Sequence, residues 1–543
     1  MKRTFVVLLF LLLQNSLFAQ TLTSSNLPIV VINTNGQAIV DDPKITADMG
    51  IIFNGENVRN NITDLYNHYN GKIGIEIRGQ SSQMFPMKSY GIELRDALGA
   101  SLDKSLFGMP KEADFVLYAP YTDKTLMRNF LAYTMSNELG RWAAHCRFVE
   151  VVVNGDYKGI YVLMERIKRG SGRVNIAKIA NTDVTGDAVT GGYIFSLDKE
   201  PNGWVSSYTT PGSLNNAKRQ FSYVYPKPEN IVQAQKDYIK KYVDSFENAL
   251  AASTFQDKIN GVRNFADLSS FIDYFIVNEV SRNVDGYRLS TYLYKDRDSK
   301  NRKIFAGPVW DYDLAFRNAD YCEGSNISGW TYQFNNVCPV DGAGLIPFWW
   351  ERLMRDTTFV SDLRCKWKTV RQSTISTDHL DHIIDSVVTL TNEARQRHFQ
   401  RWPILGQYVW PNPNPIPASY SGEITSLKEW ISNRLSWIDN NIPNAGACED
   451  WRDITNENLE VSIYPNPNNG IDATIKVKTK ELQIIYLNVF DGVGRLVHTQ
   501  SINAVPVSNL ITIEEAKKWQ TGIYYFVFTN KYGEKVSKKI MKH

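Results

Sequence analysis

Residues 278–316, NEVSRNVDGYRLSTYLYKDRDSKNRKIFAGPVWDYDLAF, restrict the fold more than any other stretch. They read as a helix end, a loop around Asp285 and a strand through Tyr292 and Tyr294. A charged turn at 296–303 then leads into a second strand ending on Trp310-Asp311-Tyr312-Asp313. Strand alternation predicts Asp311 and Asp313 on one face, with Trp310, Tyr312 and Leu314 on the other. A hairpin returns the chain on itself, so Asp285 is expected beside that pair although 26 positions separate it from Asp311. Three carboxylates at a hairpin mouth suit a hard divalent cation and a proton acceptor. The competing reading is structural: the same Asp residues cap turns and pair with Arg282, Arg288 or Arg317.

Residues 1–19 carry Lys2 and Arg3, an apolar run at 5–13 and a small Ala19, the pattern of a secretory signal peptide. No later apolar run is long enough to span a bilayer, so no transmembrane segment is expected in the mature chain. With 60 Lys and Arg against 57 Asp and Glu, the balance argues against a nucleic-acid partner. Five Cys in an exported chain allow two disulfides and leave one over. Cys322 and Cys338, flanking a Gly- and Asn-rich loop, are the expected pair. Their spacing and the scattered His residues do not suit zinc.

From residue 27 the chain alternates strands and turns. KIGIEIRG sends Ile73, Ile75 and Ile77 one way, and Glu76 and Arg78 the other. Gly79, Ser81 and Ser82 follow at a turn whose free amides suit phosphate, and Lys88 opens the return strand toward the same space. Arg78 and Lys88 also read as ordinary strand-edge charges. A helix is expected over 123–139, with Thr122 or Asp123 as its cap and Gly140 as its stop. FVEVVVNGDYKGIYVLMER reads as a hairpin turning at Asn154-Gly155. Glu165 at its end is left open between a partner for Lys88, a ligand contact and a strand-end salt bridge.

The runs RGQSS, PMKSY, DKTLMRN, VNGDYKGIYVLMER, NVDGYRLSTYLYKD and GPVWDYDLAF, in that order, resemble the spore-coat-protein-H (CotH) kinase family over residues 27–442. The resemblance implies an α+β, reduced protein-kinase-like bilobal domain, with a β-rich N-lobe at about 27–170 and a helical C-lobe at about 231–442. It implies ATP with Mg²⁺ (or Mn²⁺) and transfer of phosphate to Ser, Thr or Tyr of a surface or partner protein. In that carry-over Asp285 is the catalytic base. Asp311, with Asp313 and Ser290, holds the metal, while Arg78, Ser81, Ser82, Lys88 and Glu165 face the nucleotide. Ser290 departs from the family pattern, which places Asn there. Export away from cytoplasmic ATP favours the alternative, a non-catalytic surface-binding or assembly protein.

Residues 443–458 form a polar linker. From Leu459 onward, short alternating strands with Gly and Asn turns predict a small all-β, Ig-like sandwich over 459–543. YPNPNNG, FDGVGRLV, GIYYFVF and the basic last strand resemble the C-terminal sorting domain of type IX secretion. That resemblance implies the secretion machinery as a partner and a cell-surface or extracellular destination.

Overall fold

The computed structural model describes residues 22–199, 201–213, 215–257, 259–338, 344–443, 448, 459–468, 472–479, 483–504, 509–530 and 535–543. The expected signal peptide and nearly all of the linker lie outside them. The chain is a mixed helix-and-sheet protein with an all-β C-terminal region, dividing into two compact units at residues 448 and 449.

Seven strands open the first unit: β1 (Ile29–Asn33), β2 (Ile45–Ile52), β3 (Tyr69–Arg78), β4 (Ser89–Arg95), β5 (Asp114–Tyr118), β6 (Cys146–Val153) and β7 (Asp156–Glu165). They close into a barrel in the order β1-β2-β3-β4-β5-β7-β6. Neighbours are antiparallel except β1 and β6, whose parallel pairing (Ile29 opposite Glu150) seals the cylinder. Period-two alternation fills the interior with Ile73, Ile75, Ile92, Leu117, Leu163 and their neighbours. The β6–β7 hairpin turns where expected. Asn154 (φ 52°) and Gly155 (φ 78°) supply the two left-handed residues that a tight hairpin turn demands.

Helix α1 (Arg128–Glu138) follows β5 and starts five residues later than the sequence pattern predicts. Leu126 sits at φ 68°, which breaks the helical path, but Asp123 still accepts the Arg128 amide at 2.8 Å. Beyond the barrel, β8 (Tyr193–Leu197), β9 (Ser222–Tyr225), β10 (Thr291–Lys295) and β11 (Ile304–Ala306) form a sheet in the order β9-β8-β10-β11. The longer helices after the barrel are α2 (Gln233–Ala251), α3 (Leu268–Ser281), α4 (Thr357–Val370), α5 (Thr377–Leu390), α6 (Asn392–Arg401) and α7 (Tyr420–Asn441). Side chains of Asp267, Asp356, Ser376 and Ser419 cap α3, α4, α5 and α7. Disulfides join Cys322 to Cys338, as expected, and Cys365 to Cys448; Cys146 is the free thiol.

One strand ends earlier than predicted. Strand β11 stops at Ala306, because Pro308 has no amide to continue the ladder and Gly307 turns away at φ 106°. Asp311 and Asp313 therefore belong to a loop, and strand alternation does not govern their directions.

Glu247 on α2 is buried and accepts hydrogen bonds from Ser206 Oγ (2.8 and 2.9 Å) and Trp349 Nε1 (2.9 Å). Burial pushes its carboxyl up to about 7 from the ordinary 4.5. The folded state thus holds this proton more tightly than the unfolded one. The associated stability, about 3 kcal/mol for a shift of this size, is full below pH 4.5 and lost as pH rises through 7. Thermal melts from pH 5 to 8 should show Glu247→Gln with a shallower decline than the native chain. An unchanged slope would remove Glu247 from that role.

In the second unit, β12 (Leu459–Tyr464), β13 (Ala473–Thr479) and β16 (Asn509–Ile513) form one sheet. The other comprises β14 (Gln483–Asp491), β15 (Leu496–Ala504), β17 (Gly522–Thr529) and β18 (Lys535–Lys542). Val461, Ile475, Leu487, Phe526 and Ile540, drawn from both sheets, share one core, so the unit is a sandwich.

Candidate active site

A cleft of about 1090 Å³ lies against the outer face of the barrel. Its wall on that side follows from strand register. Arg78 on β3 faces Ser89 on β4, and Val116 on β5 faces Met164 on β7; all four alternate with interior residues and line the cleft. Strand β8 adds Ser196 and, just past its end, Asp198, β10 adds Tyr292, and α1 adds Asn129 and Tyr133. Asp285, Ser290, Asp311 and Asp313 come from the two loops around β10 and β11. Ser81 and Ser82 lie on a single 3₁₀ turn after β3 and also reach the cleft.

Two sequence-predicted residues are placed elsewhere. Lys88 is one position out of phase with Ser89, and its Nζ donates to the Gln83 carbonyl. Glu165 shares the parity of interior Leu163 and is completely buried. It accepts from the His145 amide (3.0 Å) and ring Nδ1 (2.6 Å), with Arg173 Nε 3.4 Å away. Neither lines the cleft. Because β strands alternate, one residue of offset moves a side chain to the other face.

The loop carrying Asp311 is fixed at successive atoms. Asp311 adopts φ 69°, a left-handed conformation that Asp tolerates better than bulkier residues. Its amide donates to Tyr133 Oη at 3.1 Å, and its carbonyl accepts from Asn283 Nδ2 at 3.1 Å. The Tyr312 amide donates to Asn129 Oδ1 at 2.6 Å, and Tyr312 Oη to Asn278 Oδ1 at 3.0 Å. Helix α1 and the end of α3 thus clamp the WDYD run from two sides. The Asp285 loop begins where α3 ends in left-handed Arg282 (φ 47°), and Asn283 Oδ1 accepts the Asp285 amide at 3.2 Å. Asn283 consequently links both acidic loops, which explains how residues distant in sequence keep one geometry.

The structural alternative holds for one of the three acids. Arg288 Nη2 stands 3.7 Å from Asp285 Oδ1, although the guanidinium is also held by the Val284 and Gly344 carbonyls. Arg282 is spent on the Glu323 and Gly329 carbonyls, and Arg317 on those of Pro413 and Pro415. Asp311 and Asp313 make no ion pair among the described residues. Ser290 Oγ donates to Asp311 Oδ2 across 3.4 Å.

Electrostatics bind these groups together. Burial, then the charges of Asp285 and Asp198, raise the Asp311 carboxyl to about 6 against the opposing pull of Lys199 and Arg78. Asp313 is raised by burial and then by Asp311, Asp285 and Asp123. Burial also raises Asp285, with Arg288 and Lys199 opposing. Acids that oppose one another's ionisation in one cleft form a site short of positive charge. Asp198 and Lys199, at the end of β8, belong to it and escaped sequence reasoning. The run GGYIFSLDK shows only a strand ending in charge, and the β8–β10 pairing that brings it here is nonlocal. Asn129, Tyr133 and Tyr292 were missed for the same reason.

This geometry, built from the motifs of residues 278–316 and of the barrel, coincides with a match of residues 75–438 to the family described as CotH kinase protein. The chain belongs to the CotH kinase protein family. Its CotH region contains every residue placed in the cleft by the acidic loops, by β3 and by β8. Residues 462–543 match the secretion system C-terminal sorting domain, so this CotH chain is exported by type IX secretion to the cell surface or extracellular space. No curated protein matches the chain. No helix among the described residues is long and apolar enough to cross a membrane.

Proposed function

We propose that the exported CotH region is an ATP-dependent phosphotransferase of reduced, bilobal kinase-like design, acting on Ser, Thr or Tyr hydroxyls of a surface or partner protein. The barrel serves as the nucleotide-covering lobe and α3 with its helical neighbours as the other. One observation carries the reading: Asp285, Asp311 and Asp313 converge in the cleft that also presents Arg78, Ser81 and Ser82. Asp285, on its anchored loop, accepts the proton of the acceptor hydroxyl. Arg78 and the Ser81–Ser82 turn receive phosphate oxygens.

The donors fit Mg²⁺, with Mn²⁺ as an alternative. Asp311, Asp313 and Ser290 supply hard oxygens, and the mutual opposition of the carboxyls to ionisation is what a divalent cation relieves. Among the described residues no group of three acidic, His or Cys side chains is placed to hold a metal ion, so the protein alone supplies at most a partial ligand set. Mg²⁺ would therefore have to be completed by waters and substrate phosphate alongside one or two of these carboxylates. When bound, the ion supplies neutralisation of phosphate charge. Ser290 in place of Asn offers a weaker ligand, so tight metal binding is expected only with nucleotide present.

The test is transfer of labelled γ-phosphate from ATP by the full chain with Mg²⁺, read by mass spectrometry of the products. Incorporation that requires Mg²⁺ supports the reading. Absence of both transfer and any nucleotide-dependent thermal shift rejects it and leaves a surface-binding protein.

A further inference from the structure

Arg166 also lines the cleft. It follows β7 by one residue and lies two positions beyond Met164, so alternation keeps it on the outer, cleft-facing side of the barrel. Arg78 reaches the same cleft from β3, with Val116 and Met164 lining the wall between the two strands. Among the described residues neither guanidinium makes a hydrogen bond or an ion pair. Arg78 rests 5.7 Å from the centroid of the Trp310 ring, which orients it without neutralising it. The neighbouring cation Lys168 is different: Glu112 and Asp114 hold it at 2.7 Å each.

Two guanidiniums without a hydrogen-bonded or ion-paired partner among the described residues share this wall, and burial, then the charge of Arg166, weigh against the charge of Arg78, with Tyr292, Asp311 and Glu76 opposing. An oxyanion between them reverses both penalties, and the planar fork of Arg matches phosphate with two parallel hydrogen bonds. We infer that Arg78 and Arg166 clamp the polyphosphate of the nucleotide, taking the part that sequence reasoning gives to Lys88. This rests on the phosphotransferase reading for the source of the phosphate, but the anion site stands on the two arginines themselves. Lys88 is already committed to the Gln83 carbonyl.

The experiment is calorimetric titration of the full chain with inorganic tripolyphosphate, for the native protein and for Arg78→Gln, Arg166→Gln, Arg166→Lys and Lys88→Ala, each checked for an unchanged melting profile. Loss of affinity by about 10- to 100-fold in both Gln variants is expected. Arg166→Lys should fall between, since it keeps charge without the fork, and Lys88→Ala should bind as the native chain does. Displacement of tripolyphosphate by ATP assigns the site to the nucleotide; displacement by a phosphoserine peptide and not by ATP overturns that assignment. The clamp itself is overturned if the native chain does not bind tripolyphosphate, if Arg166→Gln binds it as well, or if Lys88→Ala abolishes binding. Failure of the phosphotransferase reading looks different: the arginines then bind tripolyphosphate, yet no phosphate is transferred.

Discussion

Asp285→Asn should lower phosphate transfer by about 10²- to 10⁴-fold while leaving nucleotide affinity close to native, because a general base contributes that much and touches the acceptor, not the phosphates. Asp311→Asn should also silence transfer, but with a different signature: the Mg²⁺-dependent part of nucleotide binding disappears as well. The two acids share one cleft and one linking residue, Asn283, so a purely structural role predicts similar losses of stability for both. Comparing thermal melts with nucleotide titrations separates these cases. If Asp285→Asn transfers phosphate at the native rate, Asp285 is not the base.

The largest stability effect is expected at Arg434 on α7. Its buried guanidinium donates to the carbonyls of Glu279 (2.8 Å), Ile327 (2.8 Å) and Gly329 (2.7 Å) and stands 3.2 Å from Glu279 Oε2. Glu279, on α3 just ahead of the Asp285 loop, also accepts from the Thr331 and Tyr332 amides and from Tyr287 Oη. Burial raises the Glu279 carboxyl and lowers Arg434 to about 9, so desolvation outweighs the attraction between them. Removing one partner leaves the other uncompensated. Arg434→Ala should cost about 3–5 kcal/mol in urea unfolding, whereas Arg434→Met combined with Glu279→Gln should recover part of that loss. A single-variant cost below about 1 kcal/mol would contradict a buried, mutually dependent pair.

Sequence patterning proved most informative where the physics is local. Asn154-Gly155 names its own turn, the alternation of Ile73, Ile75 and Ile77 identifies the barrel interior, and the strand spacing after Leu459 matches a two-sheet sandwich. The meeting of Asp285 with Asp311 was also legible, since a short hairpin leaves few alternatives for its ends. What escaped depends on long-range closure or on single-residue phase. Parallel pairing of β1 with β6 joins segments more than a hundred residues apart and leaves no mark on either. Lys88 and Ser89 are sequence neighbours, yet Ser89, paired with Arg78, lines the cleft while Lys88 bonds the Gln83 carbonyl and is not among the lining residues. Pro308 ended a strand whose hydrophobic pattern ran on past it, which moved Asp311 and Asp313 into a clamped loop.

The central claim is that the acidic loops and the arginine-bearing wall of the barrel hold a nucleotide and a divalent cation together. Electron paramagnetic resonance of Mn²⁺ titrated into the full chain, with and without a nonhydrolysable ATP analogue, addresses it most directly. Weak Mn²⁺ binding alone, much tighter binding with the analogue, and loss of that enhancement in Asp311→Asn are expected. Mn²⁺ binding that is indifferent to the analogue, or unaffected by Asp311→Asn, would contradict it.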